Sequence, residues 1–388
     1  MKRNDFATFL AYVGMIAVAL LVGFLGIKPI IDAHSSALPI NSILLVLLSL
    51  VAGVILNALF LGLGHLLGAK TGRYRVLKFS VLGLGFKAEE NGKRKFGFNS
   101  FQGLVEETKV VPENPKTSTL TGYVFFPVLF LFLEVIACMI GITLGQRAET
   151  STPSMAWVRI VLITILTSGG IIFLYDLIPA RIDSVTDGYI LVLLSKPINK
   201  EAYNHLLIAE EASFYSKPIP QMPIYDDVTE FTASFNMLAI YNHLLEFKTQ
   251  EAVVELDKIA SEESKASKAT KLQAKFLKLT ALLEGKDKKG AQAIYEELSD
   301  EDKHILSGIP NLVCLRAYFL IASFLEPDNA EANYALDKAE KQVKACPEEY
   351  REAEKSLLQF DVDFCKKEHP SWKLDPLPWE EEESAKTE

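Results

Sequence analysis

The apolar residues of this chain are segregated, and that constrains its fold more than any other feature. Four uninterrupted apolar runs, Phe9–Ile27, Ser42–Leu67, Leu120–Leu144 and Met155–Ile178, lie in the first half, whereas the chain after Asn199 is rich in Glu, Lys, Asp and Ala. A run of about 20 apolar residues crosses ~30 Å of hydrocarbon as a helix, because a helix satisfies its own backbone polar groups where water is absent. On this division, 49% hydrophobic residues are compatible with a net charge of −9. Phe9–Ile27 is long for a signal peptide, and no Ala-x-Ala site follows it before Lys28-Pro29, so it reads as a first span. The sequence predicts a mainly α-helical protein. It has a membrane domain with four spanning helices over 1–199, a linker over 200–225, a helical domain over 226–370 and an acidic disordered tail over 371–388.

Charge orients the spans. The interval between the second and third runs carries Lys70, Arg73, Arg75, Lys78, Lys87, Lys93, Arg94, Lys95, Lys109 and Lys116, while the two opposite loops carry Lys28 and Arg147. The positive-inside rule therefore predicts a multi-pass plasma-membrane protein with both termini cytoplasmic. Within the interval, Tyr74–Phe86 and Lys95–Phe101 alternate like strands around Asn91-Gly92, which predicts a small β-hairpin at the membrane surface. The acidic balance excludes nucleic acid as a natural partner. Cys138, Cys314, Cys346 and Cys365 form no C-x-x-C pair and read as free thiols.

Three polar positions stand out in the membrane half. His65 closes the second run in the stretch Leu61-Gly62-Leu63-Gly64-His65. Glu134 lies in the middle of the third, where a charge costs on the order of 3 kcal/mol, and reads either as a functional contact or as an interhelical hydrogen bond to a Ser, Thr or Tyr. Asp187-Gly188 follows the fourth run. Asp187 reads as a helix N-cap, with Asp176 and Asp183 as further carboxylates nearby.

After the proline-rich stretch Tyr215–Tyr225, helical periodicity continues through Val228–Phe247, Gln250–Ser261, Ser267–Glu284, Lys288–Leu298, Asn311–Phe324, Ala330–Ala345 and Glu348–Lys366. Ala281–Lys286, followed by Ala291–Tyr295, resembles the turn between the helices of tetratricopeptide repeats. This resemblance implies a cytoplasmic surface that recruits a protein partner.

The membrane half resembles the site-2 protease family of intramembrane zinc metalloproteases over roughly Asn57 to Ser195. The most specific part of the match is Leu63-Gly64-His65, Ala69-Lys70, Gly72 and Phe79-Ser80-Val81-Leu82-Gly83-Leu84-Gly85-Phe86, with Asp176-Leu177-Ile178-Pro179 and Asp187-Gly188 downstream. The family's His-Glu-x-x-His helix supplies two zinc ligands from one face and a general base between them, and its Leu-Asp-Gly supplies the third ligand. In this sequence Leu61 and Gly62 stand at the first His and the Glu, leaving His65 and Asp187 as remnants, with Glu134 and Asp176 as possible contributors. Hydrolysis by zinc needs three protein ligands, an open position and a base. The resemblance with these departures implies a catalytically degenerate relative that expects no cofactor and binds membrane or juxtamembrane protein segments. An active metallopeptidase with a rearranged zinc site, or an accessory protein of a membrane transporter, are the other classes that fit.

Overall fold

The computed structural model describes residues 3–98, 106–178, 186–215, 217, 220–246, 248–309, 311–346 and 348–379. It divides into two compact units, Met1–Glu211 and Ala212–Glu388. Pro179, Asp183, residues 99–101 of the expected second strand and the end of the acidic tail lie outside the described residues.

In the first unit, α1 (Arg3–Val22), a five-residue π-helical turn and α2 (Lys28–His34) run on continuously. They are followed by α3 (Ser42–Thr71), four strands, α4 (Thr121–Ala148), α5 (Ala156–Leu177), α6 (Asp187–Leu194) and α7 (Pro197–Phe214). Among the described residues, four helical segments are long and apolar enough to cross a membrane: Tyr12–His34, Ser42–Thr71, Thr121–Ala148 and Pro153–Leu177. Their outward faces are apolar and open, as at Leu47, Leu48 and Phe132. This is the surface expected of helices whose solvent is lipid. At one end of the bundle Arg159 donates to both carboxylate oxygens of Glu149 at 2.9 and 2.8 Å, joining the two ends of the α4–α5 connection.

Where α3 crosses α4 the backbones touch: a Cβ at Gly68 would lie 2.3 Å from the Cα of Tyr123. Small residues at such crossings let membrane helices approach closely, and here the approach carries Tyr123 onto the last turns of α3.

The expected hairpin is part of a four-stranded antiparallel sheet. The strands are β1 (Tyr74–Val81), β2 (Leu84–Ala88), β3 (Arg94–Phe98) and β4 (Glu106–Pro112), in the order β3-β2-β1-β4. Tyr74–Phe86, read as one strand, is two. Leu82 and Gly83 both take positive φ (48° and 81°), the backbone of a two-residue turn that folds β2 back on β1. The Asn91-Gly92 turn joins β2 to β3. The sequence reading did not include β4, which pairs along the whole of β1 with a register shift between Val76 and Lys78, and this places Glu106 opposite Val81. Asn204 fastens α7 beside the sheet, accepting from the Tyr74 hydroxyl and donating to the carbonyls of Pro115 and Ser118.

The second unit is helical: α8 (Glu230–Leu245), α9 (Thr249–Ala260), α10 (Lys268–Glu284), α11 (Lys288–Glu297), α12 (Asp300–Gly308), α13 (Leu312–Phe324), α14 (Asn329–Ala345) and α15 (Glu348–Glu368). Ser267, Asp287, Ser299, Asn311 and Asp328 cap successive helices, each side chain accepting a first-turn N–H. One core gathers α8, α9 and α10, and a larger one forms around α13. There Leu315, Ala317, Phe319 and Leu320 are wholly enclosed.

Candidate metal centre

The site is assembled from the end of α3, β4, the start of α4, the end of α5 and the start of α6. His65, on the penultimate turn of α3, is buried. Its Nδ1 lies 3.0 Å from Oε2 of Glu106 and its Nε2 lies 3.2 Å from Oδ2 of Asp187. The Tyr123 ring stacks on the imidazole, with centroids 4.2 Å apart and planes 11° apart. Asp176, at the end of α5, accepts the backbone N–H of Asp187 at 3.2 Å. His65, Asp176 and Asp187 each offer a ligand atom within 4.8 Å of the others.

Local sequence explains how Asp187 arrives. Thr186, rather than Asp187, is the N-cap of α6, accepting from the N–H of Tyr189 and donating to the carbonyl of Ile178. With Thr186 capping, Asp187 occupies the first helical position and its carboxylate is free to meet His65. Gly188 is required there: a Cβ would stand 2.1 Å from the Leu177 carbonyl oxygen. The Asp-Gly pair places a carboxylate and a close backbone approach side by side.

Glu106 was not among the residues singled out from sequence. It comes from 41 residues downstream, on a strand whose register only the fold defines. Its position bears on the two departures in α3. Leu61, one turn before His65, lines the cavity with its aliphatic side chain. Gly62 has no space for a side chain, since a Cβ would lie 2.7 Å from the Phe79 ring and 3.1 Å from Cγ of Glu106. The helix thus supplies one donor where two would be needed, and a carboxylate from β4 packs against the glycine. Glu134 does not join this cluster. It is buried halfway along α4 with Asn57 as its polar neighbour.

A cavity of about 730 Å³ opens over the cluster. Ile16 and Ala19 of α1, Val110 of β4 and Leu207 of α7 give it an apolar wall, with the His65 cluster at its polar part. Glu210 also lines it, and burial pushes that carboxyl above its ordinary range, Lys109 partly offsetting the effect. Three carboxylates surround one imidazole, so the cluster carries an excess of negative charge that a cation or a substrate amide could meet.

The chemistry of the donor set, one imidazole and two carboxylates, suits a divalent metal: ligands of a tetrahedral zinc stand roughly 3.3 Å apart, the His65–Asp187 contact is 3.2 Å, and the three ligand atoms lie within 4.8 Å of one another. His65 Nε2, Asp176 and Asp187 would hold the ion, with Glu106 orienting the imidazole through Nδ1 as carboxylates commonly do behind metal-bound histidines. Bound there, zinc would supply Lewis acidity and an activated water.

No family model, curated protein or solved structure matches the chain. Its own geometry identifies it as a multi-span helical membrane protein with a buried His/Asp/Asp cluster able to chelate a metal.

Proposed function

We propose that this protein is a catalytically degenerate, site-2-protease-like integral membrane protein of the plasma membrane. In this reading it binds membrane-inserted or juxtamembrane polypeptide in the cavity beside His65. The observation that carries it is the packing at Gly62. The position of the general base is filled by Phe79 and Glu106, and Leu61, at the position of the first ligand, turns an alkyl group to the cavity. A site that keeps a groove and loses water activation is suited to holding a polypeptide intact. β4 is an edge strand of the sheet and in this reading pairs with an extended segment, whose side chains the apolar wall of the cavity contacts. The second unit, with tetratricopeptide-like repeats facing the cytoplasm, recruits a protein partner.

A second reading is favoured by one observation, the convergence of His65, Asp176 and Asp187 within 4.8 Å. It is an active metallopeptidase whose zinc is held by one His and two Asp. The loss of a helix-borne base typically costs roughly 10²–10⁴-fold in rate, so in this reading Glu106 must take up the proton work.

The test is photocrosslinking. A benzophenone amino acid at Leu207 or Ile16 should capture an added membrane-spanning peptide and return it at full length. A control probe at lipid-facing Leu47 should not capture it. Equal capture at all three positions would contradict a binding cavity.

A further inference from the structure

A second polar feature lies inside the spans, away from the cavity. Asn57 sits midway along α3 and Glu134 midway along α4, both buried. Asn57 is eight residues (65 − 57) before His65, about 12 Å along the helix, so it does not belong to the His65 cluster. Its Nδ2 donates to the carbonyls of Gly53 (2.9 Å) and Ile165 (3.3 Å). Carbonyls only accept, so these two bonds fix which end of the amide is nitrogen. Oδ1 is left as a pure acceptor. It is buried without a hydrogen-bond partner, as are both carboxylate oxygens of Glu134. The Asn57 side chain is the polar neighbour of that carboxyl, and α5 backs the amide closely, since a Cβ at Gly169 would stand 2.3 Å from Oδ1.

Among the described residues of the spans, no cation is at hand. Residues 12–27, 42–64, 121–145 and 160–175 contain no Lys, Arg, His or Asp, and Glu134 is their single acid. The other titratable group beside it is Cys138, one turn along α4. The tyrosines of these segments, Tyr12, Tyr123 and Tyr175, line the cavity beside His65. A bare carboxylate in hydrocarbon with no cation to pair it is strongly disfavoured. One proton resolves both deficits: the carboxylate becomes a carboxylic acid, its O–H donates, and the stranded amide oxygen accepts.

We propose that Glu134 binds a proton in the membrane interior and donates it in a hydrogen bond to Oδ1 of Asn57, forming a proton-carrying clasp between α3 and α4. These same helices bring His65 and Tyr123 together. Releasing the proton places an unpaired charge between the elements that frame the cavity, so occupancy of the proton site and the packing of the cavity are linked.

Infrared spectroscopy of the full chain in lipid nanodiscs tests this directly. At about pH 8, well above the ordinary glutamate value of 4.5, the protein should show the carbonyl band of a neutral carboxylic acid. Glu134→Gln should abolish that band while keeping the fold, because the glutamine amide can donate to the same oxygen. Asn57→Leu should move the band to the frequency of a free acid. Dicyclohexylcarbodiimide, which modifies neutral carboxyls in apolar surroundings, should label Glu134 of the unmutated protein, as read by peptide mass spectrometry. If Glu134→Gln instead removes a carboxylate band, the proposal is overturned. Loss of the acid band on adding sodium or lithium at constant pH would also overturn it, making this a metal-cation site.

Discussion

Each unit of this molecule has a buried basic side chain held between two carboxylates, Arg316 in one and His65 in the other, and the two settings differ in what surrounds them. In the helical unit, Arg316 donates from Nε to Asp361 at 2.7 Å and from Nη2 to Glu284 at 2.6 Å, with all three side chains sealed in the core. In the membrane unit, His65 lies between Glu106 and Asp187, but Asp176 adds a third carboxylate and a cavity opens beside it. The first arrangement is closed. Although burial opposes it, Asp361 and Glu284 hold the guanidinium above its ordinary value, and burial raises the Glu284 carboxyl, with Asp361 adding to the rise. The two carboxylates and the guanidinium are enclosed together, with no room for a further ligand. The second arrangement has surplus negative charge and room for a ligand. Similar pairings therefore serve different ends: one joins α10, α13 and α15, and the other presents acceptors to whatever enters.

The largest effect that would sharpen this contrast is Arg316→Leu. Removing one partner of a buried pair strands the others, and the expected loss is about 3–5 kcal/mol. Hydrogen exchange in α10, α13 and α15 should report it, whereas His65→Leu should leave the second unit's exchange unchanged. Equal exchange loss in both variants would break the comparison.

A smaller effect is expected where α3 crosses α4. Gly68→Ala drives a methyl into the Tyr123 backbone, and overpacking of this kind costs about 1–3 kcal/mol. Thermal unfolding in detergent should show the loss, and a Trp at position 123 should report displacement from His65 by its altered fluorescence.

Leu61→His tests the openness of the His65 cluster. It adds a nitrogen one turn before His65 on the face that lines the cavity, and zinc affinity should rise, because a carboxylate-rich set gains an imidazole of the kind zinc favours. Isothermal titration checks this. Gly62→Glu, in contrast, should unfold the site rather than restore chemistry, because Phe79 and Glu106 already fill that space.

The smallest expected effect is a pH slope in the sealed cluster. Glu284 holds its proton more tightly in the folded state than its ordinary value of 4.5 would allow. Its contribution is therefore fully present below that value and declines as pH rises through the raised folded value. Denaturant midpoints of the second unit should fall over that window, and Glu284→Gln should flatten the fall.

The spans were legible in the sequence because hydrocarbon admits only long apolar helices, and Ser42–Leu67 could be little else. His65, Asp176 and Asp187 were legible as residues, since each ends or follows a run, but their convergence depends on the end of α5 and the start of α6 meeting the last turns of α3. Glu106 was hidden. Its role depends on β4 pairing with β1 through a register shift, and no local pattern encodes which strand a distant acidic residue will join. Asn57 was visible as a polar interruption of an apolar run at the same depth as Glu134, and pairing the two mid-span polar residues was the available signal. The hairpin was incomplete for a related reason: alternation marks strands, but the positive φ at Leu82 that breaks Tyr74–Phe86 carries no signal in a leucine.

The central claim is that the groove survives without water activation. Its most direct test is incubation of the purified, zinc-supplemented full chain with a membrane-spanning peptide, with and without a chelator, followed by mass spectrometry. The account predicts bound, full-length peptide in both samples. Chelator-sensitive cleavage that disappears in His65→Ala would contradict it and establish the metallopeptidase instead.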